Sequence, residues 1–204
     1  MDFVKEFAIF LQESAAIKFG DFKLSSGKES AYYVDLRIIP SFPHQFRKMI
    51  KHLQNSISEN IGLDNFDCIA SVPTSGLVIA SALAIETIKP LVYIRQKPKD
   101  YGTGSLIEGK IKEGSRILLV DDVGTTGQSL IKAIKALKDA KMVVTDAFVI
   151  INRLEGAKEV LASEGVRLHE VTNVMKISDM LHSEKLLDEQ TLERIKKQMN
   201  SVSR

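Results

Sequence analysis

Between residues 60 and 175, short apolar runs alternate with segments of helical periodicity. The apolar runs are nearly unbroken and occupy 68–72, 91–94, 117–120 and 143–151. The helical patterns lie between and after them, at 76–88, 127–139 and 156–164. Strands that are apolar on both sides and separated by helices are typical of a parallel sheet covered on both faces. The pattern therefore predicts an α/β fold, a central, mostly parallel sheet flanked by helices, with its core at about 60–175.

The first 60 residues follow a different pattern. Apolar side chains spaced by three and four predict a helix over 2–18 that ends at Gly20, and a second helix over 45–61. Between them, residues 22–37 contain two β-prone runs around the turn-forming SSGKES, which predicts a hairpin or two small strands. We expect residues 1–40 to form most of a small N-terminal hood on the sheet.

Composition narrows the class of protein. The chain has 204 residues, 44% of them hydrophobic and 26% charged, which predicts one globular domain over 1–204. A formal net charge of +2 provides no overall field for nucleic acid, and no apolar run approaches the length of a membrane span. We therefore expect no nucleic-acid or membrane partner. The single cysteine, Cys68, predicts a buried thiol and a reducing, cytoplasmic setting.

The strongest candidate site is ILLVDDVGTTGQSL at 117–130, an apolar strand followed by two acids, a turn rich in Gly and Thr, and a helix start. In open α/β sheets ligands bind at the carboxyl ends of strands, where the N-terminus of the next helix attracts a phosphate. Gly124 and Gly127 allow the backbone to approach the phosphate closely, and nearby hydroxyls can donate hydrogen bonds. The segment predicts a phosphate-binding turn.

Two acids, Asp121 and Asp122, adjoin this turn. Carboxylates beside an anion site can accept hydrogen bonds from sugar hydroxyls or help to hold a hydrated divalent ion, so a ribose phosphate fits both parts of the motif. The alternative is that the acids only cap a helix. The turn lacks the GK[ST] of nucleoside triphosphate cradles and the GxGxxG of dinucleotide sites, which disfavours both classes.

A basic segment, IRQKPKDYGTGSLIEG, lies at 94–109. Arg95, Lys97 and Lys99 alternate and would share one side of an extended chain, and the glycines that follow make the segment flexible. A loop of this kind beside a site can close over it and exclude water, although a solvated charged loop has the same composition.

These segments together resemble the type I phosphoribosyltransferases, and the orotate phosphoribosyltransferase family in particular. The phosphate-binding turn is similar to the family's phosphoribosyl pyrophosphate (PRPP) motif, and 19–37, FGDFKLSSGKESAYYVDLR, is similar to its hood. SVPTSGLVIASALA at 71–84 resembles the pyrophosphate-side turn and helix, and 94–109 resembles the mobile catalytic loop. The resemblance covers most of residues 19–156, and the order and spacing of four segments make it specific.

The resemblance implies a set of site residues. Lys99, Arg95, Asp121 and Asp122 would be catalytic, with the two cations contacting pyrophosphate and the two acids binding ribose. Thr125 and Arg153 would bind orotate, and a guanidinium suits a planar substrate that bears a carboxylate. The implied PRPP-binding set is Arg95, Gln96, Lys99, Tyr101, Asp121, Asp122, Val123, Gly124, Thr125, Thr126, Gly127, Gln128 and Ser129.

The same resemblance implies Mg²⁺ carried mainly by PRPP, with no direct protein ligand, and a homodimer in which the 95–109 loop serves the neighbouring site. The chain departs from the family pattern at four positions. Ser25, Ser75 and Gln96 stand where lysines are frequent, and Tyr101 replaces a frequent histidine. Fewer cations would then face the pyrophosphate, which affects the rate and the PRPP affinity more than the type of reaction.

The implied activity is transfer of the 5-phosphoribosyl group of PRPP to orotate, giving orotidine 5′-phosphate and pyrophosphate in the synthesis of UMP. Two alternatives stay open at this point. One is a phosphoribosyltransferase with a purine acceptor, against which the hood and the 94–109 segment count. The other is a non-catalytic PRPP sensor that binds nucleic acid, for which residues 1–18 supply only one helix of balanced charge.

Overall fold

The computed structural model describes residues 3–23, 27, 29–97 and 106–202. Within them a central sheet has the strand order β5-β4-β3-β6-β7-β8, and a separate two-stranded sheet is formed by β1 and β2. The strands are β1 (Ile17–Lys23), β2 (Glu29–Val34), β3 (Cys68–Ser71), β4 (Leu91–Ile94), β5 (Ile107–Glu108), β6 (Arg116–Gly124), β7 (Val143–Asn152) and β8 (Arg167–Asn173). The helices are α1 (Phe3–Glu13), α2 (Pro43–Asn60), α3 (Ser75–Thr87), α4 (Gln128–Asp139), α5 (Ala157–Ser163), α6 (Val174–Ser183) and α7 (Glu189–Val202).

The α/β prediction is confirmed. Strands β4, β3, β6, β7 and β8 run parallel, and only β5 is antiparallel to its neighbour β4. Alternate residues of the buried strands contribute to two separate apolar clusters. On β7, for example, Phe148 and Ile150 join a cluster with α1, α2, α3, α6 and α7, whereas Ala147 and Val149 join a second cluster with α4 and α5. Helices therefore cover both faces, as the unbroken apolar strands require.

The predicted first helix is too long. Helix α1 ends at Glu13, the backbone of Ala15 has a positive φ of 58°, and β1 begins at Ile17, so Gly20 lies inside a strand. The hairpin prediction is confirmed, although β1 starts five residues before 22 and pairs antiparallel with β2. The apolar spacing could not distinguish the last helical turn from the strand, because Ile17 and Phe19 satisfy both periods.

Two elements near the C-terminus are absent from the sequence prediction. Strand β8 has a continuous buried run of only three residues, Val171–Asn173, and helix α6 follows it without an intervening turn. The Asn173 side chain caps α6 by accepting a hydrogen bond from the Lys176 N–H at 2.9 Å. Asn173 is both the last residue of β8 and the N-cap of α6. No Gly or Pro therefore lies between the two elements to indicate a boundary in the sequence.

No helix in the described part of the chain is long and apolar enough to cross a bilayer.

Cys68 provides a test of the packing. Its side chain is 1% exposed at the start of β3, and burial raises the pKa of its thiol to about 11. Because the thiolate is the reactive form, Ellman's reagent should leave the native protein unmodified at mildly alkaline pH and titrate one thiol per chain in concentrated guanidinium chloride. A Ser163→Cys variant adds an exposed thiol as a positive control and should react at once. Rapid modification of the native wild type would contradict the buried position of β3.

Candidate active site

The centre of the sheet contains a topological switch point. Strand β3 pairs with β4 on one side and with β6 on the other, so the chain leaves the two central strands in opposite directions. The Ser71 hydroxyl donates a hydrogen bond to the Val120 carbonyl at 2.7 Å and joins the carboxyl end of β3 to the middle of β6. In sheets of this kind the crevice at the switch point is the binding site for ligands.

The predicted phosphate-binding turn is located at this crevice and comprises Thr125–Gly127, directly before α4. Gly127 has a φ of +76°, and a Cβ there would lie 2.9 Å from Leu161 Cδ1 and 3.2 Å from Ala157 Cα. Glycine is therefore required by both conformation and packing. The turn begins later than the sequence suggests, because Gly124 is still the last residue of β6, paired with Asn152, and has no positive φ.

Donor groups at the turn are available to an anion. Thr126, Gln128 and Ser129 are exposed and Thr125 is half-buried. In the described part of the chain the hydroxyls of Thr125, Thr126 and Ser129 make no hydrogen bond. The first N–H groups of α4 also have no partner within the helix, since Gly127 has no capping side chain. Hydroxyls, free N–H groups and the positive end of the helix dipole are the features that favour binding of an anion.

The two acids differ in their surroundings, although the sequence suggested one role for both. Asp121 is 8% exposed, and its Oδ1 accepts a hydrogen bond from the Asp122 N–H at 2.9 Å. Burial, and then the neighbouring Asp122 charge, raise the pKa of the Asp121 carboxyl well above its ordinary value. Asp122 is half-buried. Successive strand residues point to opposite faces, so the pair presents one enclosed and one accessible carboxyl group.

The base of the 94–109 loop lies across the crevice from α4. The Arg95 N–H donates to the Leu106 carbonyl at 2.8 Å, and Arg95 Nη1 lies 3.2 Å from Glu108 Oε1. Gln96 Nε2 donates to the Pro73 carbonyl at 3.4 Å, which links the loop base to the turn after β3. Lys99 and Tyr101 fall outside the described residues, as do residues 98–105 in general and Ser25.

A cleft of about 610 Å³ joins the loop base to α4. Among the residues predicted from sequence, Arg95, Gln96 and Ser129 line it, whereas Asp121, Asp122, Thr125 and Arg153 do not.

Two lysines that were not predicted from the sequence, Lys132 and Lys135, also line the cleft and add positive charge from α4. Their spacing was the available signal, since Lys132 lies three residues after Ser129 and Lys135 three residues after Lys132, and residues three apart are neighbours on a helix surface.

Arg153 follows the last residue of β7 and is 6% exposed. Its N–H donates to the Gly124 carbonyl at 2.8 Å, which holds it next to the phosphate-binding turn. Its Nε and Nη2 lie 2.9 Å and 2.8 Å from Glu155 Oε1, and Nη2 also donates to Ser30 Oγ at 3.3 Å. The guanidinium carbon is 4.6 Å from the centre of the Tyr32 ring. In the described structure Nη1 alone makes no hydrogen bond, and it can serve a ligand.

Sequence reasoning missed the partners of Arg153. Tyr32 donates a hydrogen bond from its hydroxyl to Glu155 Oε1 at 3.2 Å, and burial raises the pKa of that hydroxyl. Ser30 and Tyr32 lie on β2, more than 120 residues before Arg153. The hood segment was identified as important, but no pattern within it indicates a contact over that separation.

Comparisons with known proteins agree with this geometry. The family model described as phosphoribosyl transferase domain matches residues 43–182. The orotate phosphoribosyltransferase of Cenarchaeum symbiosum is 52% identical over 187 residues, which cover 92% of this chain and 94% of that protein. The chain belongs to the orotate phosphoribosyltransferase family within the phosphoribosyl transferases.

Two solved structures extend the comparison. The crystal structure of the Aeropyrum pernix orotate phosphoribosyltransferase aligns with a TM-score of 0.79 and 36% identity, over 87% of this chain and 98% of that one. The Leishmania donovani UMP synthase aligns with a TM-score of 0.83 and 29% identity, and here 97% of this chain covers 42% of the longer one.

The contact between Gly76 and Asp121 can be tested by adding one methyl group. A Cβ at Gly76, in the first turn of α3, would overlap Asp121 Oδ1 and lie 2.9 Å from Ser71 Oγ and 3.1 Å from Asp121 Cα. Gly76→Ala should therefore lower the free energy of unfolding by about 2 kcal/mol, because overpacking outweighs the gain in helix propensity.

Urea denaturation followed by circular dichroism measures this change. Ser81→Ala is the matched control, because the Ser81 hydroxyl bonds only to Leu77 of its own helix, and it should change stability by less than about 0.5 kcal/mol. A Gly76→Ala protein as stable as the wild type would show that the Asp121 carboxyl does not lie under α3.

Proposed function

We propose that the chain transfers the 5-phosphoribosyl group of PRPP to a ring nitrogen of orotate, producing orotidine 5′-phosphate and pyrophosphate in UMP synthesis. The observation that carries the proposal is the hydrogen bond from Arg153 N–H to the Gly124 carbonyl at 2.8 Å. It holds a buried arginine next to an anion-binding turn. A sugar phosphate donor and a planar carboxylate acceptor need these two features side by side.

The PRPP-binding role is assigned to the crevice between β6 and the loop base. The 5′-phosphate would bind at Thr125–Ser129, where free hydroxyls and N–H groups converge on the start of α4. Val123 and Gly124 are the last residues of β6 and directly precede that turn. Asp122 would bind the ribose hydroxyls directly. Asp121 would contribute through its hydrogen bond to the Asp122 N–H, which fixes the backbone between the two acids.

The orotate-binding role is assigned to Arg153 and Thr125. Glu155 occupies Nε and Nη2 of the Arg153 guanidinium, so Nη1 is the nitrogen that would donate to the acceptor carboxylate or a ring carbonyl. Stacking of the guanidinium on Tyr32 fixes its plane. Thr125, which is half-buried in the turn, would donate its hydroxyl to the same acceptor.

Mg²⁺ fits this site as an ion carried by the substrate. Its octahedral shell requires six oxygen ligands, and the Asp121 and Asp122 carboxyls, one of them enclosed, cannot provide them. PRPP oxygens and water would complete the shell, with Asp122 as the nearest protein carboxyl. When bound, the ion would neutralise negative charge on the pyrophosphate group.

The protein's contribution to the reaction is positioning and charge stabilisation. As pyrophosphate departs, the anomeric carbon gains positive character and the leaving group gains negative charge. Arg95 and Lys99 from the loop would stabilise the leaving pyrophosphate, and Gln96 and Tyr101 would donate hydrogen bonds to it. Arg153 and Thr125 would hold the orotate nitrogen in line. We further propose that the protein works in the cytoplasm, where the lone thiol of Cys68 stays reduced.

The direct test is loss of orotate absorbance that depends on both PRPP and Mg²⁺. Orotate should be consumed at least about a hundredfold more efficiently than uracil, hypoxanthine or adenine, because the acceptors that lack a carboxylate leave Arg153 Nη1 without that partner. A preference for a purine base would overturn the acceptor assignment. DNA binding in gel-shift experiments without pyrophosphate release would overturn the enzymatic proposal altogether.

Lys99→Ala tests the assigned role of the loop cation. We expect kcat to fall by about a hundredfold or more, with the KM for orotate changed by less than about threefold, because the lost charge acts on the leaving group. Lys110→Ala removes an exposed lysine just beyond β5 and serves as the control, with near-normal kinetics. Turnover of Lys99→Ala near the wild-type rate would exclude a catalytic role for this lysine.

We also propose a homodimer in which α3 forms part of the contact. Helix α3 is apolar on its outer side as well as its inner side. Ile85 in its last turn is 80% exposed, and Ile88, the residue that follows the helix, is 91% exposed. Exposed aliphatic residues adjoining one another are typical of a protein interface. Strand β4, which leads into the 95–109 loop, packs beside α3.

Ile85→Lys and Ile88→Lys together should convert the dimer to a monomer, because two buried charges without partners oppose association. Light scattering on a size-exclusion column measures the mass, which should fall from twice the chain mass to the chain mass. Val143→Lys replaces an aliphatic residue that is 45% exposed at the amino end of β7, and it should leave the dimer intact. An Ile85→Lys/Ile88→Lys protein that remains dimeric would place the interface elsewhere.

A further inference from the structure

The last helix of the described chain contacts the hood hairpin of β1 and β2 at its inner edge. Gln198 of α7 accepts a hydrogen bond from the Ala31 N–H through Oε1 at 2.7 Å. Its Nε2 donates to Ser30 Oγ at 3.2 Å. Arg194, one turn earlier, pairs with Asp21 of β1 on the solvent side. Helix α7 therefore contacts both strands of the hairpin. The Gln198 contacts are part-buried, whereas the Arg194–Asp21 pair is exposed.

Ser30 Oγ is the point where three parts of the chain meet. It donates to the Tyr32 carbonyl at 2.8 Å and accepts from Gln198 Nε2 and from Arg153 Nη2 at 3.3 Å. Ser30 is 4% exposed, so water does not replace a lost partner easily. In such surroundings each hydrogen bond restricts the position of the others. The position of Ser30 Oγ thus depends on Gln198 and in turn limits where Arg153 Nη2 can lie.

The orientation of the Arg153 guanidinium depends on this serine. Glu155 Oε1 binds both Nε and Nη2, but one oxygen atom serving two nitrogens permits the guanidinium to pivot about it. Tyr32 restricts the tilt of the plane, and Ser30 Oγ restrains rotation within the plane. In-plane rotation decides where Nη1 points. Loss of the Ser30 contact would therefore move the donor that the acceptor substrate requires.

We propose that Gln198 is a positioning residue for the acceptor substrate, acting through Ser30 on Arg153. The inference rests on the proposed function, since it takes Arg153 as the group that binds the orotate carboxylate. It assigns to the C-terminal helix an influence on acceptor binding without any contact between that helix and the substrate. PRPP binding, which uses the turn at Thr125–Ser129 and the loop base, does not involve this chain of contacts.

Gln198→Ala tests the proposal through a split in the kinetic constants. We expect the KM for orotate to rise by about five- to tenfold, the loss of roughly one buried hydrogen bond, while the KM for PRPP stays within about twofold. Gln190→Ala is the matched control, because Gln190 is an exposed glutamine on the same helix. A change in thermal stability alone, or an equal rise in both KM values, would overturn the proposal and leave Gln198 a structural residue.

A double-mutant cycle provides the second test. Ser30→Ala removes the oxygen that Gln198 and Arg153 share, so it should raise the KM for orotate at least as much as Gln198→Ala does. If Gln198 acts through Ser30, the Ser30→Ala/Gln198→Ala protein should be no worse than Ser30→Ala, since the interaction is already lost. Additive effects of the two substitutions would overturn the proposed path.

The same assay distinguishes failure of the proposed function from failure of the positioning role. A wild-type protein that consumes no orotate with PRPP and Mg²⁺ would refute the proposed function and the positioning role together. A wild type that consumes orotate, with an unchanged KM for orotate in Gln198→Ala, would refute the positioning role alone.

Discussion

The pairing of β6 with β7 beyond the two acids is the constraint on which the site depends. The register continues through Asp121 with Val149 and Val123 with Ile151 to Gly124 with Asn152. Because both strands extend to the same level, the turn that begins at Thr125 and the arginine that follows β7 leave the sheet side by side. The hydrogen bond from Arg153 N–H to the Gly124 carbonyl continues the ladder by one more step. Anion site and guanidinium are thus held by backbone geometry.

The fold could be predicted in its central part because burial there leaves a simple pattern. The apolar runs at 91–94 and 143–151 match β4 and β7 almost to the residue, since strands buried on both faces carry little else. Strand β8 was not predicted from the sequence, because it lies at the sheet edge and mixes Arg167, His169 and Glu170 with apolar residues. The end of α1 was predicted too late in the sequence, because the apolar residues within 14–19 fit both helical and extended spacing.

The candidate site shows the same division between local and distant information. The turn at 125–129 was visible in sequence because glycines, hydroxyls and a helix start are adjacent there. The unequal burial of Asp121 and Asp122 was not visible, since it results from the position of Gly76 on another helix. The contacts of Arg153 with Ser30 and Tyr32 likewise join segments that lie more than 120 residues apart. Motifs identify such residues, whereas their orientation depends on tertiary packing.

Strands β4 and β5 form a short antiparallel ladder, and the segment between them begins and ends at this ladder. Tyr93 and Ile94 pair with Glu108 and Ile107, and the Arg95 N–H reaches the Leu106 carbonyl. Main-chain hydrogen bonds therefore hold the two ends of the segment together. Because these pairs lie on both sides of the segment, a change in the number of residues between Lys97 and Leu106 does not require a change in the register of β4 with β5. Relatives can thus vary the length of this segment in evolution without rebuilding the fold that carries it.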